Sequence, residues 1–258
     1  MSIDAFITRL HASGKPLIMG ILNRTPDSFS NKGHEATIED ALQMIREGAD
    51  LLDVGGESTR PGAEEVQADE EIRRTVPYIR ALRAQTDLPI SIDTRHAAVA
   101  EAALDAGADI VNDVTALHYD SKMLPLVLRT RAPVILMHSR GTPKSMDGLT
   151  EYEDVVEDVC AALKADRDNL LALGYPSERI ILDPGFGFAK TTEQSMRIIS
   201  RLESLAALAP VLVGLSRKRM TGGSDETSAQ LALQCVRKGA RIIRVHNVPL
   251  TRLVLAKS

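Results

Sequence analysis

Short apolar runs alternate with longer amphipathic stretches along the whole chain. Each run is rich in Val, Ile and Leu, and most runs end in a polar or charged residue. The runs predict eight β-strands, at residues 16–23, 51–53, 89–93, 110–113, 134–138, 180–183, 211–214 and 242–246. The stretches between them predict helices at residues 2–11, 37–47, 64–86, 95–106, 121–130, 151–173, 192–208 and 226–238.

Strict alternation of strands and helices indicates the fold class. Strands that are apolar on both faces are typical of a parallel sheet covered by helices. Eight such units in 258 residues predict an α/β fold, a TIM (β/α)8 barrel forming one domain over residues 1–258. An open, doubly wound sheet is the alternative. Gly48, Gly107 and Gly239 follow predicted helices, as expected for helix caps.

Composition narrows the class of protein without identifying a function. The net charge is −4 and no basic block occurs, which argues against nucleic acid as a partner. No apolar run approaches the ~20 residues of a membrane span, so we expect no membrane association. The first residues lack the pattern of a secretory signal. Cys160 and Cys235 fit no metal or redox spacing, and we expect a reducing, cytoplasmic compartment.

Polar side chains stand at the carboxyl ends of the predicted strands. In a TIM barrel these ends meet at one mouth, where active sites are built. One acid after a strand is more often a helix cap than a functional group. Nine such positions are difficult to explain by capping alone, although Asp53 and Asp113 taken singly could be caps. The nine are Asn23, Asp53, Asp93, Asn112, His138, Asp183, Lys218, Arg244 and His246.

The acidic and amide members of this set predict recognition of a ring. Asp93, Asn112 and Asp183 would form an acceptor wall for a planar heterocycle that carries amino and N–H donors. Phe186 and Phe188 follow directly after Asp183 in the sequence. They could stack on an aromatic group or simply pack at the top of the barrel.

The basic members predict recognition of an anion. Arg60 lies in the polar, glycine-rich segment 53–62, whose other interpretation is an ordinary strand-to-helix connection. Together with Lys218, Arg244 and His246 it would form a cationic rim that suits phosphate. The expected ligand therefore combines a ring with an anionic group.

The motifs, taken in order, resemble the dihydropteroate synthase family over essentially the whole chain. The matching segments are 20–23, 25–30, 53–62, 91–94, 110–113, 137–138, 183–188, 216–218 and 244–246. The resemblance implies a cytoplasmic TIM-barrel transferase that joins 6-hydroxymethyl-7,8-dihydropterin diphosphate to 4-aminobenzoate. Its products are 7,8-dihydropteroate and diphosphate. It also implies a Mg²⁺ requirement, a homodimer, and cleavage of the pterin C–O bond before the amine attacks.

The same resemblance implies roles for individual residues. The pterin-binding set would be Asp93, Asn112, Asp183 and Lys218. Arg244 would stack on the pterin and, with His246, meet the diphosphate, while Asn23 would hold Mg²⁺. The groups expected to act in catalysis are Asp93, Asp183, Lys218 and Arg244. The further residues expected to bind substrate are Thr59, Arg60, Met137, Phe186 and Gly214, with the Phe186 ring against the aminobenzoate.

The sequence departs from the family pattern at several points. Asn31-Lys32-Gly33 stands where Asp-Gly-Gly is common, residues 219–225 form a short connection, Thr227-Ser228-Ala229 replaces a Gly-Ser pair, and Asn247 follows His246. These departures leave open a pterin-binding barrel that no longer catalyses. A methyltetrahydrofolate–corrinoid methyltransferase is a further alternative, but it would have no use for the cationic rim. A Schiff-base aldolase built on Lys218 is the weakest.

Overall fold

The computed structural model describes residues 2–12, 14–25, 35–60 and 62–256. Eight parallel strands close into a barrel in the order β1 to β8, which confirms the predicted TIM barrel. The strands are β1 Leu17–Asn23, β2 Leu51–Gly55, β3 Ile90–Asp93, β4 Ile110–Asp113, β5 Val134–Met137, β6 Ile180–Asp183, β7 Val211–Gly214 and β8 Ala240–Val245.

Helices surround the barrel. They are α1 Ile3–His11, α2 Ile38–Arg46, α3 Ala68–Arg83, α4 Ala97–Asp105, α5 Met123–Thr130, α6 Val155–Ala172, α7 Thr192–Ser200, α8 Glu203–Ala206, α9 Asp225–Arg237 and α10 Val248–Leu255. Gly48, Gly107 and Gly239 have φ angles of 99°, 110° and 99°, which confirms their prediction as helix caps. None of the helices in the described ranges is long and apolar enough to cross a membrane.

Three predicted helices differ most from their observed bounds. Helix α3 begins at Ala68 and not at residue 64, because the Val66 amide donates to the Glu57 carboxylate and keeps that segment in the loop. Helix α6 begins at Val155 because the Asp154 side chain caps it. The stretch 192–208 divides into α7 and α8, because the chain turns at Leu202, whose side chain is fully buried.

The apolar residues form two layers, one on each side of the barrel wall. The outer layer fills the space between the strands and the helices. The inner layer lies at the amino ends of the strands, and Phe6 and Leu10 of α1 close the barrel from below. Its strand residues are Leu17, Met19, Leu51, Ile110, Ile135, Ile181, Leu212 and Ile242.

The inner face changes character towards the carboxyl ends of the strands. Because side chains alternate along a strand, the residue two positions after an inner apolar residue also points into the barrel. The lower barrel is packed with aliphatic side chains. On most strands the next inward position holds a residue other than a branched aliphatic one, and the upper barrel therefore contains polar groups. These positions are Asp53, Asn112, Met137, Asp183, Gly214 and Arg244.

A buried carboxyl group lies behind β2 and β3. Glu71 of α3 is fully buried, and the Thr94 hydroxyl donates to its Oε2 at 3.0 Å. Its Oε1 has no hydrogen-bond partner within the described residues. Gly56 allows this close packing, because a Cβ there would lie 2.8 Å from Glu71 Cγ. Burial raises the pKa of Glu71 to about 8.

We predict that Glu71 makes the stability of the fold depend on pH. The folded protein keeps a proton that the unfolded chain loses above pH 4.5, so the contribution of this group is complete at low pH and lost as pH rises to about 8. Glu71→Gln cannot ionise. Its unfolding temperature relative to wild type should therefore rise between pH 5 and 8, by roughly several degrees. Exposed Glu101→Gln is the control, and parallel profiles for wild type and Glu71→Gln would contradict the prediction.

Candidate active site

A cavity of about 470 Å³ opens at the carboxyl ends of the strands. Nine of the twelve residues that the sequence predicts for the site line it. They are Asn23, Thr59, Arg60, Asp93, Phe186, Gly214, Lys218, Arg244 and His246. The other three, Asn112, Met137 and Asp183, are buried beside the cavity without lining it.

An ion-paired floor closes the bottom of the cavity. It consists of Asp53, Asp93 and Arg244. Arg244 Nε donates to Asp53 Oδ2 at 2.6 Å, and Arg244 Nη2 donates to Asp93 Oδ2 at 2.7 Å. Asn112 Nδ2 lies 3.4 Å from both carboxylate oxygens of Asp53. The residues predicted from the sequence for the site do not include Asp53, although its side chain points into the barrel as that of Asp93 does.

The floor holds more negative charge than its cation can neutralise. Two carboxylates share one guanidinium, and both are largely removed from water. Burial raises the pKa of Asp93 to about 7, against the opposing effect of Arg244, and Asp53 adds to the rise. The carboxylates in turn raise the pKa of Arg244, so its charge is permanent. The floor is therefore a strong hydrogen-bond acceptor beneath the cavity.

Asp183 and Lys218 connect the floor with the aromatic residues. Asp183 Oδ1 accepts a hydrogen bond from the Gly185 amide at 2.7 Å, and burial raises its pKa. Lys218 Nζ donates to the Phe186 carbonyl and lies 4.9 Å from the centre of the Phe188 ring. Burial lowers the pKa of Lys218 to about 8, although Asp183 opposes this effect. Lys218 therefore stands between the acceptor wall and the aromatic side chains.

His246 differs from its predicted role as a cation. Burial and the neighbouring Arg217 and Arg244 lower its pKa to about 3, so the ring is neutral near pH 7. Its Nδ1 lies 2.9 Å from Ser216 Oγ, and its buried Nε2 has no partner within the described ranges. Ser216 Oγ accepts from the His246 amide, and we infer that its hydroxyl hydrogen is directed at Nδ1, which places the ring proton on Nε2. His246 thus offers an N–H donor and no charge.

The loop that carries Thr59 and Arg60 is anchored at its start. Glu57 accepts from Arg95 Nε and Nη2 at 3.0 and 2.8 Å, and both side chains are nearly buried. The Arg95 guanidinium also lies 4.1 Å from the centre of the Tyr119 ring. Sequence reasoning missed this pair, because its members lie 38 residues apart and neither ends a strand.

The described residues include no group of three or more His, Cys, Asp or Glu side chains that could hold a metal ion. Asn23 ends β1 and lines the cavity, as the prediction for a metal-binding residue requires. The first loop, with the departure at Asn31-Lys32-Gly33, lies outside the described residues. Asn247 has a structural role, because it caps α10 and donates to Asp225.

Comparisons with known proteins agree with this geometry. The sequence profile of the family described as pterin binding enzyme matches residues 19–246. A dihydropteroate synthase of Streptococcus pyogenes serotype M3 is 44% identical, over 99% of this chain and 98% of its own. The dihydropteroate synthase of Yersinia pestis, solved as a sulfonamide drug complex, superposes with a TM-score of 0.90, at 38% identity over 94% of this chain and 93% of that one.

A further solved structure is that of Xanthomonas albilineans dihydropteroate synthase with 4-aminobenzoic acid. It superposes with a TM-score of 0.86 at 42% identity, over 94% of this chain and 92% of that one. The likeness therefore covers the barrel and every strand end that borders the cavity.

We predict that the floor depends on balanced charge. Arg244→Met leaves two buried carboxylates without a cation and should lower the free energy of unfolding by about 3 kcal/mol. Adding Asp53→Asn to Arg244→Met removes one of those charges and should restore part of the loss. Urea unfolding near pH 7 measures both variants, with exposed Arg237→Met as the matched control. A double variant no more stable than Arg244→Met would show that charge balance is not what the floor needs.

Proposed function

This chain belongs to the dihydropteroate synthase family of pterin-binding enzymes, and we propose that it joins 6-hydroxymethyl-7,8-dihydropterin diphosphate to 4-aminobenzoate. The products are 7,8-dihydropteroate and diphosphate, which makes the protein a transferase. One observation carries the proposal: the acceptor Asp93 and the cations Arg60, Lys218 and Arg244 line one cavity, and the acceptors Asn112 and Asp183 are buried beside it.

The pterin ring belongs at the acceptor wall. Asp93, Asn112 and Asp183 stand at neighbouring heights on β3, β4 and β6, with Asp93 and Asn112 in direct register. Their oxygens suit the amino and N–H edge of a pterin. Two edges of the Arg244 guanidinium are held by Asp53 and Asp93, which fixes its plane and leaves a flat face for stacking on the ring. Buried carboxylates also stabilise the electron-poor methylene that forms as the C–O bond breaks.

The diphosphate belongs at the cationic side of the cavity. Arg60 and Lys218 border it, and the Nε2 of His246 adds a neutral donor. These groups stabilise the charge that develops on the leaving diphosphate. Lys218 carries a proton below its pKa of about 8, so its contribution is present near neutral pH and lost above it.

The family uses a divalent metal, and we propose Mg²⁺. Asn23 fits this role, because its amide oxygen is a hard ligand at the edge of the cavity. A neutral amide is a weak ligand by itself, so the diphosphate must supply most of the charge. When bound, the ion would neutralise the leaving diphosphate, while the chain's own residues hold the ring and exclude water.

The aminobenzoate belongs between Phe186 and the loop that carries Thr59 and Arg60. Phe186 borders the cavity and its side chain is fully buried in the wall, and we propose that the aminobenzoate ring packs on this part of the wall. An aromatic amine is nucleophilic in its neutral form, so the reaction requires no strong general base. The neutral His246 is consistent with that requirement.

The other functions fit the site less well. A methyltransferase of the corrinoid type gives no role to Arg60, Lys218 and Arg244 in one cavity. A Schiff-base aldolase needs an available amine, but Lys218 is engaged by the Phe186 carbonyl. The homodimer remains a prediction from the resemblance, and the cytoplasmic location and the single domain over residues 1–258 remain predictions from the sequence.

A direct assay distinguishes an active enzyme from an inactive barrel. The purified protein is incubated with the pterin diphosphate, 4-aminobenzoate and Mg²⁺, and both products are quantified. We expect dihydropteroate and diphosphate in equal amounts. Binding of the pterin without product would support the barrel that no longer catalyses.

We predict that Asp183→Asn lowers pterin affinity and kcat/KM by ~10²-fold or more, because an amide cannot accept from the pterin edge as a carboxylate does. The fold should persist, since the two side chains are nearly isosteric. Exposed Asp168→Asn is the matched control in the same assay. Full activity in Asp183→Asn would remove this residue from the site.

We predict that Mg²⁺ binds with the diphosphate and not before it. Calorimetry should detect little heat when Mg²⁺ is titrated into the free protein, and clear binding once inorganic diphosphate is present. Asn23→Ala should weaken only the second titration. Tight binding of Mg²⁺ to the free protein would contradict the assignment of Asn23.

A further inference from the structure

We infer that Lys190 is a positioning residue that ties the β6–α7 loop to the end of β5 and so holds Phe186 in place for aminobenzoate. The β6–α7 loop is defined as residues 184–190. This inference rests on the proposed function, because it concerns the second substrate of that reaction.

The ammonium group of Lys190 is enclosed by acceptors. Its side chain is only 6% exposed. Nζ lies 2.8 Å from His138 Nδ1, 3.2 Å from the His138 carbonyl, 3.2 Å from the Gly185 carbonyl and 3.0 Å from the Phe188 carbonyl. Burial lowers the pKa of Lys190 to about 7, although Asp183 opposes this effect. The N–H donors of Nζ thus face four acceptors, which come from the end of β5 and from the β6–α7 loop.

These contacts are unusual because a buried ammonium is normally paired with a carboxylate. The acceptors at Lys190 are three carbonyl oxygens and one imidazole nitrogen. Burial lowers the pKa of His138 to about 3, with Lys190 adding to the effect, so its ring is neutral and Nδ1 can accept. The Lys190 amino group is therefore held by neutral acceptors, namely three carbonyl oxygens and one imidazole nitrogen, and not by a carboxylate.

The β6–α7 loop needs such a support. Gly185, Gly187 and Ala189 have φ angles of 65°, 75° and 50°, and the left-handed region is unfavourable for alanine. Gly185 also packs against β5 so closely that a Cβ would lie 2.1 Å from the His138 carbonyl oxygen. A conformation of this kind persists only where surrounding contacts fix it.

The same loop presents groups to the cavity. Phe186 borders the cavity, its side chain is fully buried, and its carbonyl accepts from Lys218. The Tyr152 hydroxyl also supports the loop by donating to the Ala189 carbonyl at 3.0 Å. A shift of the loop would therefore displace the Phe186 ring and release the contact with Lys218.

Direct binding of substrate by Lys190 is disfavoured by the same geometry. Although Lys190 borders the cavity, its donors all have acceptors inside the protein. Within the pterin-binding set, Asp93 and Asn112 stand on strand ends away from the loop, whereas Asp183 contacts the Gly185 amide and Lys218 contacts the Phe186 carbonyl. Loss of Lys190 should consequently affect aminobenzoate more than the pterin diphosphate.

The test compares steady-state constants of Lys190→Met with wild type. Methionine keeps the length of the side chain and removes all its donors. We expect the KM for aminobenzoate to rise ~10-fold or more, while the KM for the pterin diphosphate changes less than ~3-fold. Exposed Lys164→Met is the matched control and should leave both constants unchanged. Wild-type turnover first establishes the reaction, so an inactive wild type refutes the proposed function and not this inference.

A double-mutant cycle separates positioning from general destabilisation. If Lys190 acts through Phe186, Lys190→Met should change the aminobenzoate KM less than ~2-fold in a Phe186→Ala background. The inference is overturned if Lys190→Met changes the aminobenzoate KM by the same factor in the wild-type and Phe186→Ala backgrounds. It is also overturned if Lys190→Met alone leaves this KM unchanged. Where Lys190→Met does not fold, Tyr152→Phe removes one support of the same loop. It should raise the aminobenzoate KM by ~2- to 5-fold, and an unchanged KM would again overturn the inference.

Discussion

The site depends on one guanidinium that two buried carboxylates share. Arg244 donates to Asp53 and Asp93 at 2.6 and 2.7 Å, in a place largely closed to water, where an unpaired charge is costly. The arrangement fixes the plane of the guanidinium and the height of the acceptors around it. It also leaves an excess of negative charge under the cavity, and burial, with Asp53 adding to the effect, raises the pKa of Asp93 to about 7. A substrate ring with N–H donors would satisfy that excess.

The alternation of side chains along the barrel strands places the residues of this floor. Leu51 and Ile242 point into the packed lower barrel, and two residues later Asp53 and Arg244 point into the upper barrel. The apolar layer below keeps water out from one side, so the polar layer above is exposed only to the cavity. Loops add Arg60 and Phe186 to the cavity lining, and we propose that they contact an anion and an aromatic ring.

Much of this could be predicted from the sequence, because strands and inward positions follow from local periodicity. The strand ends that carry Asp93, Asn112 and Asp183 were identified on that basis. What could not be predicted depends on partners far apart in the chain: Asp53 meets Arg244 across 191 residues, and Lys190 meets His138 across 52. Helix starts were misplaced where charged loop residues have helical composition, as before Ala68 and Val155.

A crystal structure of the protein with 7,8-dihydropteroate tests the account most directly. We predict that the amino edge of the pterin lies within hydrogen-bond distance of Asp183 and Asn112, with its ring along the face of Arg244. Arg244 should keep its contacts with Asp53 and Asp93, and the aminobenzoyl ring should lie against Phe186. A product bound away from the strand ends, or an Arg244 that leaves both carboxylates to admit it, would contradict the central claim.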